Sequence, residues 1–252
     1  MLPISPRTPD SEVLSTSVAD HLRAAITRGD VVPGAKLRLE HLRESFGVSH
    51  SPLREALSRL VAEGFVVAES QRGFRAAPVS AENLREVTAL RLVLEPMALR
   101  ESIQRGDEAW ETRVAGALYQ LKKHSLHHTK SASVEDIEHW EGVHRHFHLT
   151  LLSACAMPLL VQFCTTLHDL SDRYRRLFLQ SRHPRDRLVP GEHELMAETA
   201  LARQGEEASA LLATHIQRIS AQVLRTIEEI NAGQAEPKGA PPERSAPVKR
   251  RT

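Results

Sequence analysis

The chain reads as a mainly α-helical protein in two unequal parts: a small helical unit closed by a β-hairpin, then a longer all-helical bundle. Three observations carry this. Between residues 13 and 62, apolar side chains recur at three- and four-residue spacing, cut into short runs by Gly29, Gly34 and Gly47. Between residues 65 and 76, the residues turn β-branched and aromatic around a polar, glycine-tipped turn. From residue 80 to about 231 the helical period returns in long runs with no strand-like alternation. Apolar recurrence near 3.6 residues marks the buried face of an amphipathic helix.

The elements follow in order. Residues 1–11, with three prolines, predict a flexible arm. Leu14, Val18, Leu22 and Ile26 share one face, predicting a helix over Val13–Thr27 that ends near Gly29. Val32-Pro33-Gly34 is a turn. Leu39, Leu42 and Phe46 then give Glu40–Phe46 one apolar face, and Gly47 permits the left-handed conformation that ends a helix. Ser49 or Ser51 can cap the next helix. Pro52 suits its first turn, where the missing N–H would have been unpaired. Leu53, Ala56, Leu57 and Leu60 form the inner stripe of that helix, while His50, Ser51 and Arg54 lie on its outer N-terminal face. After Gly64, Phe65–Val67 and Phe74–Ala76 can pair as strands around Glu69–Gly73, with Arg72 and Gly73 at the tip.

Two short helices about a tight turn, then a hairpin, is the order of a winged helix-turn-helix. Such a unit lays its second helix in the DNA major groove. The same spacing alone would also suit a plain small helical domain. The segment VSHSPLREALSRLVAEGFV closely resembles the GntR family of bacterial transcription regulators. There a small polar residue, an Arg, a Thr or Ser, Pro, a hydrophobe, Arg-Glu-Ala-Leu, Leu and Glu-Gly recur in that sequence. The resemblance implies DNA contacts from Ser49, His50, Ser51, Arg54, Arg72 and Gly73. His50 departs from the pattern, standing where the family most often has Arg. A neutral imidazole donates one hydrogen bond and cannot make the bidentate base pairing of an Arg, so Arg54 carries more of the expected contact.

Pro78 and Ser80 end the first unit, and Ser80-Ala81-Glu82-Asn83 opens a helix with acid at its positive end. Breaks near Gly106-Asp107, His127–Ser133, Met157-Pro158, His183-Pro184 and Gln204-Gly205 predict about six helices. The domains expected are 12–78 and 79–231, followed by a disordered basic tail over 232–252 that ends in Lys249-Arg250-Arg251. The bundle resembles the FCD effector domain of one large GntR branch, the FadR branch. The pieces that carry this are Leu90–Glu95, Phe147-His148 within WEGVHRHFHLTLLSA, Glu192-His193, and Ala208 through His215-Ile216. Arg-Tyr-Arg and RGDEAW look closest to regulators of the CsiR type.

Composition bounds the compartment. A net charge of +1 over 252 residues places any basic surface locally. Cys155 and Cys164 sit in apolar helical segments and read as buried small hydrophobes. With no secretory h-region and no apolar run near the length of a membrane span, a cytoplasmic protein with no membrane partner is expected.

Fourteen histidines is a high count. His144 and His148, four apart, share a helix face; His193 and His215 lie in later apolar stretches. Each can be a hydrogen-bonded core residue or a ligand. Many FCD domains bind a divalent metal through an Asp, a His four residues later, and two His on later helices. Here His148, His193 and His215 match the His positions, and His144 replaces the Asp. An all-imidazole set favours zinc, nickel or copper over magnesium, calcium or manganese; zinc or nickel is the expected cofactor. His146 should point away, and His124, His127, His128, His139, His168 and His183 read as surface or loop residues.

No catalytic base accompanies these ligands. Arg145 stands where a zinc protease motif needs Glu, and no G-x-S-x-G or phosphate-cradling loop is present. The resemblance implies a small carboxylate effector held by Arg91, with Arg175 a second candidate. A simple Arg91–Glu95 pair and a solvated face for Arg175 are the alternatives. The expected function is a ligand-responsive repressor, binding a two-fold operator on double-stranded DNA as a homodimer. The rival is a metal-dependent enzyme acting on small organic acids, tethered to DNA by its N-terminal unit.

Overall fold

The computed structural model describes residues 9–69, 73–124, 133–181 and 191–235. The helices are α1 (Pro9–Arg28), α2 (Leu39–Phe46), α3 (His50–Ala62), α4 (Ala81–Arg105), α5 (Glu108–Lys123), α6 (Val134–Leu152), α7 (Pro158–Ser181), α8 (Glu192–Leu201) and α9 (Gly205–Ala235); the strands are β1 (Lys36–Leu37), β2 (Val66–Glu69) and β3 (Gly73–Ala76). The architecture is mainly α, as the apolar periods predict.

In the N-terminal unit, Gly47 takes the left-handed conformation (φ 63°) and its N–H closes α2 on the Arg43 carbonyl. α3 then starts at His50 with Ser49 at the cap position, although the Ser49 side chain makes no capping bond. Leu53, Ala56, Leu57 and Leu60 are buried against Val18, Ala19, Leu22 and Ile26 of α1. The hairpin forms with Val66 opposite Ala76 and Glu69 opposite Gly73.

Three boundaries differ from the expected ones. α1 begins at Pro9, inside the stretch read as an arm. Proline fits a first helical turn, where its missing N–H costs no bond. α9 runs to Ala235, four residues past the expected end, because the next proline comes only at Pro237. A third strand, β1, pairs antiparallel with β3 (Lys36 with Arg75, Leu37 with Phe74) and completes a sheet in the order β1-β3-β2. Two residues carry no alternation to read.

The C-terminal bundle centres on Trp110, Phe147, Leu151, Met196 and Leu212, with the free thiols Cys155 and Cys164 buried among them. Burial pushes the Cys164 thiol up to about 12, so it stays protonated. The two parts are packed together: the N-terminal core takes in Val87 of α4 and Leu167 and Leu170 of α7. Arg173 donates to the Ala77 carbonyl. Tyr174, fully buried, accepts from the Ser80 N–H and donates to Asn83, clamping the linker to α7.

Candidate functional site

The first site is the outer face of α3 with the wing. Ser49, His50, Ser51 and Arg54 are all exposed at the N-terminal end of α3. His50 Nε2 lies 3.4 Å from Glu40 Oε1 of α2, whereas Arg54 has no ion-pair partner among the described residues. That difference leaves Arg54 the freer cation. Gly73 is exposed with φ 92°, a conformation side chains resist. Arg72 lies outside the described residues. Lys36 and Arg38 are exposed beside the wing, two cations that sequence reasoning missed because they precede any recognisable pattern.

The second site lies inside the bundle. His144 and His148 from α6, His193 from α8 and His215 from α9 each offer one ring nitrogen, all within 4.8 Å of one another. The His144 and His148 Nε2 atoms are 3.1 Å apart. Three of the rings are under a tenth exposed, and His193 is half-buried. Burial, then the charge of Arg175, then the neighbouring rings hold His144 well below its ordinary pKa. Burial also lowers His148, His193 and His215, which favours the neutral imidazole at each. His215 Nδ1 bonds Glu192 Oε2 at 2.7 Å, and Arg218 holds the same carboxylate. The pair keeps Glu192 ionised, with a pKa of about 2. A carboxylate behind a ring fixes its tautomer and raises its donor strength.

These residues fit a divalent metal. His193 Nε2 is buried without a hydrogen-bond partner among the described residues, a cost that buried polar atoms rarely bear. Metal–imidazole bonds of about 2.0–2.1 Å put neighbouring ligand nitrogens about 3.0–3.4 Å apart, which the His144–His148 separation of 3.1 Å matches. His146 is exposed and turned away.

Arg91 is buried but committed: Nε and Nη2 fork onto Glu95 at 2.5 and 3.1 Å, and Nη1 donates to Ser171. Arg175, buried rather than solvated, stacks its guanidinium 5.5 Å from the Trp140 ring centre. Its Nη2 pairs with Asp172 and Glu141, while Nη1 is buried with no hydrogen-bond partner among the described residues. Of the two arginines, Arg175 therefore holds the open donor.

Of the histidines read as surface or loop residues, His127, His128 and His183 lie outside the described residues, and one assignment among the rest fails. His168 is 2% exposed, and its ring centre lies 5.7 Å from that of His148. The α7 stripe Leu160, Cys164, Leu167, His168, Ser171 and Tyr174 shares one buried face; that spacing was the available signal. His168, Asp169 and Asp172 also cluster, but Arg145 grips Asp169 at 2.5 and 2.9 Å and Arg175 takes Asp172. They make an ion-pair seam. This seam floors a cleft of about 310 Å³ between α1 and the α6–α7 pair, lined by Asp20, Arg23, Glu141, Arg145, Asp169 and Asp172 among others. Arg175 thus touches carboxylates that line the cleft under the first helix of the N-terminal unit.

Residues 14–75 match the family of bacterial regulatory proteins of the gntR type, and residues 86–218 match the FCD domain. The HTH-type transcriptional regulator BphR of Paraburkholderia xenovorans is 38% identical over 196 residues, 78% of this chain and 79% of that protein. The HTH-type transcriptional repressor GlaR of Escherichia coli is 31% identical over 198 residues, 77% and 89% of the two chains. Among solved structures, a GntR regulator from Rhodococcus sp. RHA1 superposes with a TM-score of 0.67 at 25% identity, covering 84% of this chain and 97% of that one. McbR/YncC of Escherichia coli superposes with a TM-score of 0.71, covering 84% and 98%; at 23% identity it speaks to the fold alone. No helix among the described residues is long and apolar enough to cross a membrane.

Proposed function

Because this chain belongs to the GntR family of bacterial transcription regulators and carries the FCD domain behind its DNA-binding unit, we propose that it is a repressor governed by a small carboxylic acid. The acid binds in the histidine cavity beside a divalent metal, zinc or nickel, held by His144, His148, His193 and His215. Its relatives are transcription regulators and not enzymes. Two carboxylates near the histidines are already committed, Glu192 to His215 and Arg218 and Glu95 to Arg91.

The observation that carries this reading is the pairing of four convergent imidazoles with a buried arginine that keeps one donor unused. A metal held by the four histidines would supply positive charge toward the acid, and Arg175 Nη1 would donate to the acid from beside them. A charge-assisted bond of this kind is the strong, orienting sort.

Control then passes through Arg175. An acid that draws its guanidinium toward the cavity weakens its hold on Asp172 and Glu141, which line the cleft beneath α1. α1 is packed on α7 and on the recognition helix, so its seat sets where α3 points. A repressor released this way must bind the acid better in the released arrangement than in the operator-bound one. Two copies acting on a two-fold operator double the effect of each shift.

The test is a thermal-shift screen of mono- and dicarboxylic acids against metal-loaded and chelator-treated protein, since a ligand of the folded state raises its melting temperature. Acids that raise the melting temperature only with metal support the reading; equal shifts with and without metal reject the metal's part in it.

A further inference from the structure

We propose that Glu40 and His50 together select a cytosine in each half of the operator, with Glu40 setting the imidazole so that it turns an acceptor toward the DNA. This rests on the reading that lays α3 in the major groove, and names one base that it reads.

His50 opens α3, and Glu40 lies in the first turn of α2. Both side chains are exposed, and their approach brings Glu40 to the end of α3 that carries Ser49, Ser51 and Arg54. His50 Nε2 lies 3.4 Å from Glu40 Oε1, and Arg43 Nε stands 3.2 Å from Glu40 Oε2. A carboxylate so placed meets the phosphate polyanion and only repels it unless it serves recognition. Arg43, on the helix that crosses the backbone in this motif, offsets part of that repulsion.

The service is to fix the ring. A neutral imidazole has one donor nitrogen and one acceptor, and the partner of one nitrogen decides the tautomer. An ionised carboxylate only accepts, so the proton belongs on Nε2, beside Glu40. Nδ1 is then the free lone pair. The end of α3 therefore offers the groove two neighbouring acceptors, the imidazole nitrogen and the carboxylate behind it.

Only two bases present a donor in the major groove, cytosine through its N4 amino group and adenine through N6. Guanine presents acceptors alone, and thymine an acceptor and a methyl group. Adenine sets its N7 lone pair beside the amino group, where it would face a second acceptor. Cytosine has no acceptor on that edge, and acceptance from its N4 by a carboxylate is an established pairing. The Glu40–His50 pair thus favours cytosine on the strand that His50 faces and disfavours guanine most. An arginine in the same place, with five donors and no acceptor, selects the reverse.

The test is selection of tight binders from a random double-stranded DNA library by the full chain at pH 8, well above the ordinary histidine pKa of about 6.5. Gel shifts with each base pair placed in turn at every half-site position then give the preferences. At one position the wild type should bind cytosine about fivefold better than guanine. His50→Arg should reverse that preference at the same position. Glu40→Ala should erase it, to within about twofold, while strengthening binding to unrelated DNA, because an acid facing phosphates is gone. A Glu40 that merely propped α2 would weaken both kinds of binding when removed. A wild type with the same preferences as His50→Arg, or a Glu40→Ala protein with unchanged preferences, overturns the proposal. Arg54→Ala separates the two levels: if it too leaves every preference unchanged, α3 does not lie in the groove and the underlying reading falls as well.

Discussion

His144 and His148, one turn apart on α6, bring their Nε2 atoms to 3.1 Å. Two neutral rings at that distance can share one proton or one ion. With His193 and His215 closing from α8 and α9, the ion is the better-matched occupant. His148→Ala and His193→Ala should each abolish stoichiometric metal by elemental analysis of the purified protein. Glu192→Gln, which keeps the ring but loses the charge behind His215, should weaken metal binding by about 10- to 100-fold. Equal occupancy in wild type and the alanine variants would refute the site.

Arg54 and His50 divide differently from the family pattern, since His50 approaches Glu40 while Arg54 stays free. Arg54→Ala should lower operator affinity by about 5- to 150-fold, the value of one good base contact. His50→Ala should cost less. Gel shifts at fixed salt measure both, and an Arg54→Ala protein that binds like wild type would remove α3 from the groove.

The metal-free fold should be acid-labile. Burial takes His168 down to about 3 and lowers the four cluster histidines, while unfolded histidines titrate near 6.5. Below pH 6.5 the unfolded chain binds protons that the folded chain refuses, so stability is full above that pH and lost as it falls. Each such ring removes about 1.4 kcal/mol per pH unit. Burial pushes Glu141 up to about 7 and acts oppositely between its unfolded value and 7, giving a partial offset. Urea midpoints from pH 7 to 5 should fall steeply, and His168→Leu should flatten the slope by about one proton. An unchanged slope would mean that His168 is charged in the fold.

Arg175→Met should separate metal from effector. The metal-induced rise in melting temperature should persist, while the further rise from an active carboxylate should be lost. A variant that still responds to the acid would return the effector role to Arg91.

The two helices about Gly47 and the capped start of α4 at Ser80 were legible because local rules decide them: a left-handed turn, an oxygen cap and a periodic stripe. The four histidines were legible as a set only through resemblance, since spacing relates His144 to His148 but says nothing of α8 or α9. What stayed hidden depends on tertiary packing. β1 is too short to show a period. His168 and Arg175 are polar residues on a face of α7 that becomes interior only once α4 and α6 close over it. The cleft under α1 belongs to two distant parts of the chain, and no local pattern announces it.

Acid bound beside the histidines is proposed to control the grip on DNA. This control is tested most directly by operator affinity, measured by fluorescence anisotropy on metal-loaded protein with and without the acid that most raises its melting temperature. The predicted result is at least a tenfold loss of affinity with acid in the wild type and none in His193→Ala. The same operator affinity with and without a saturating acid would contradict it.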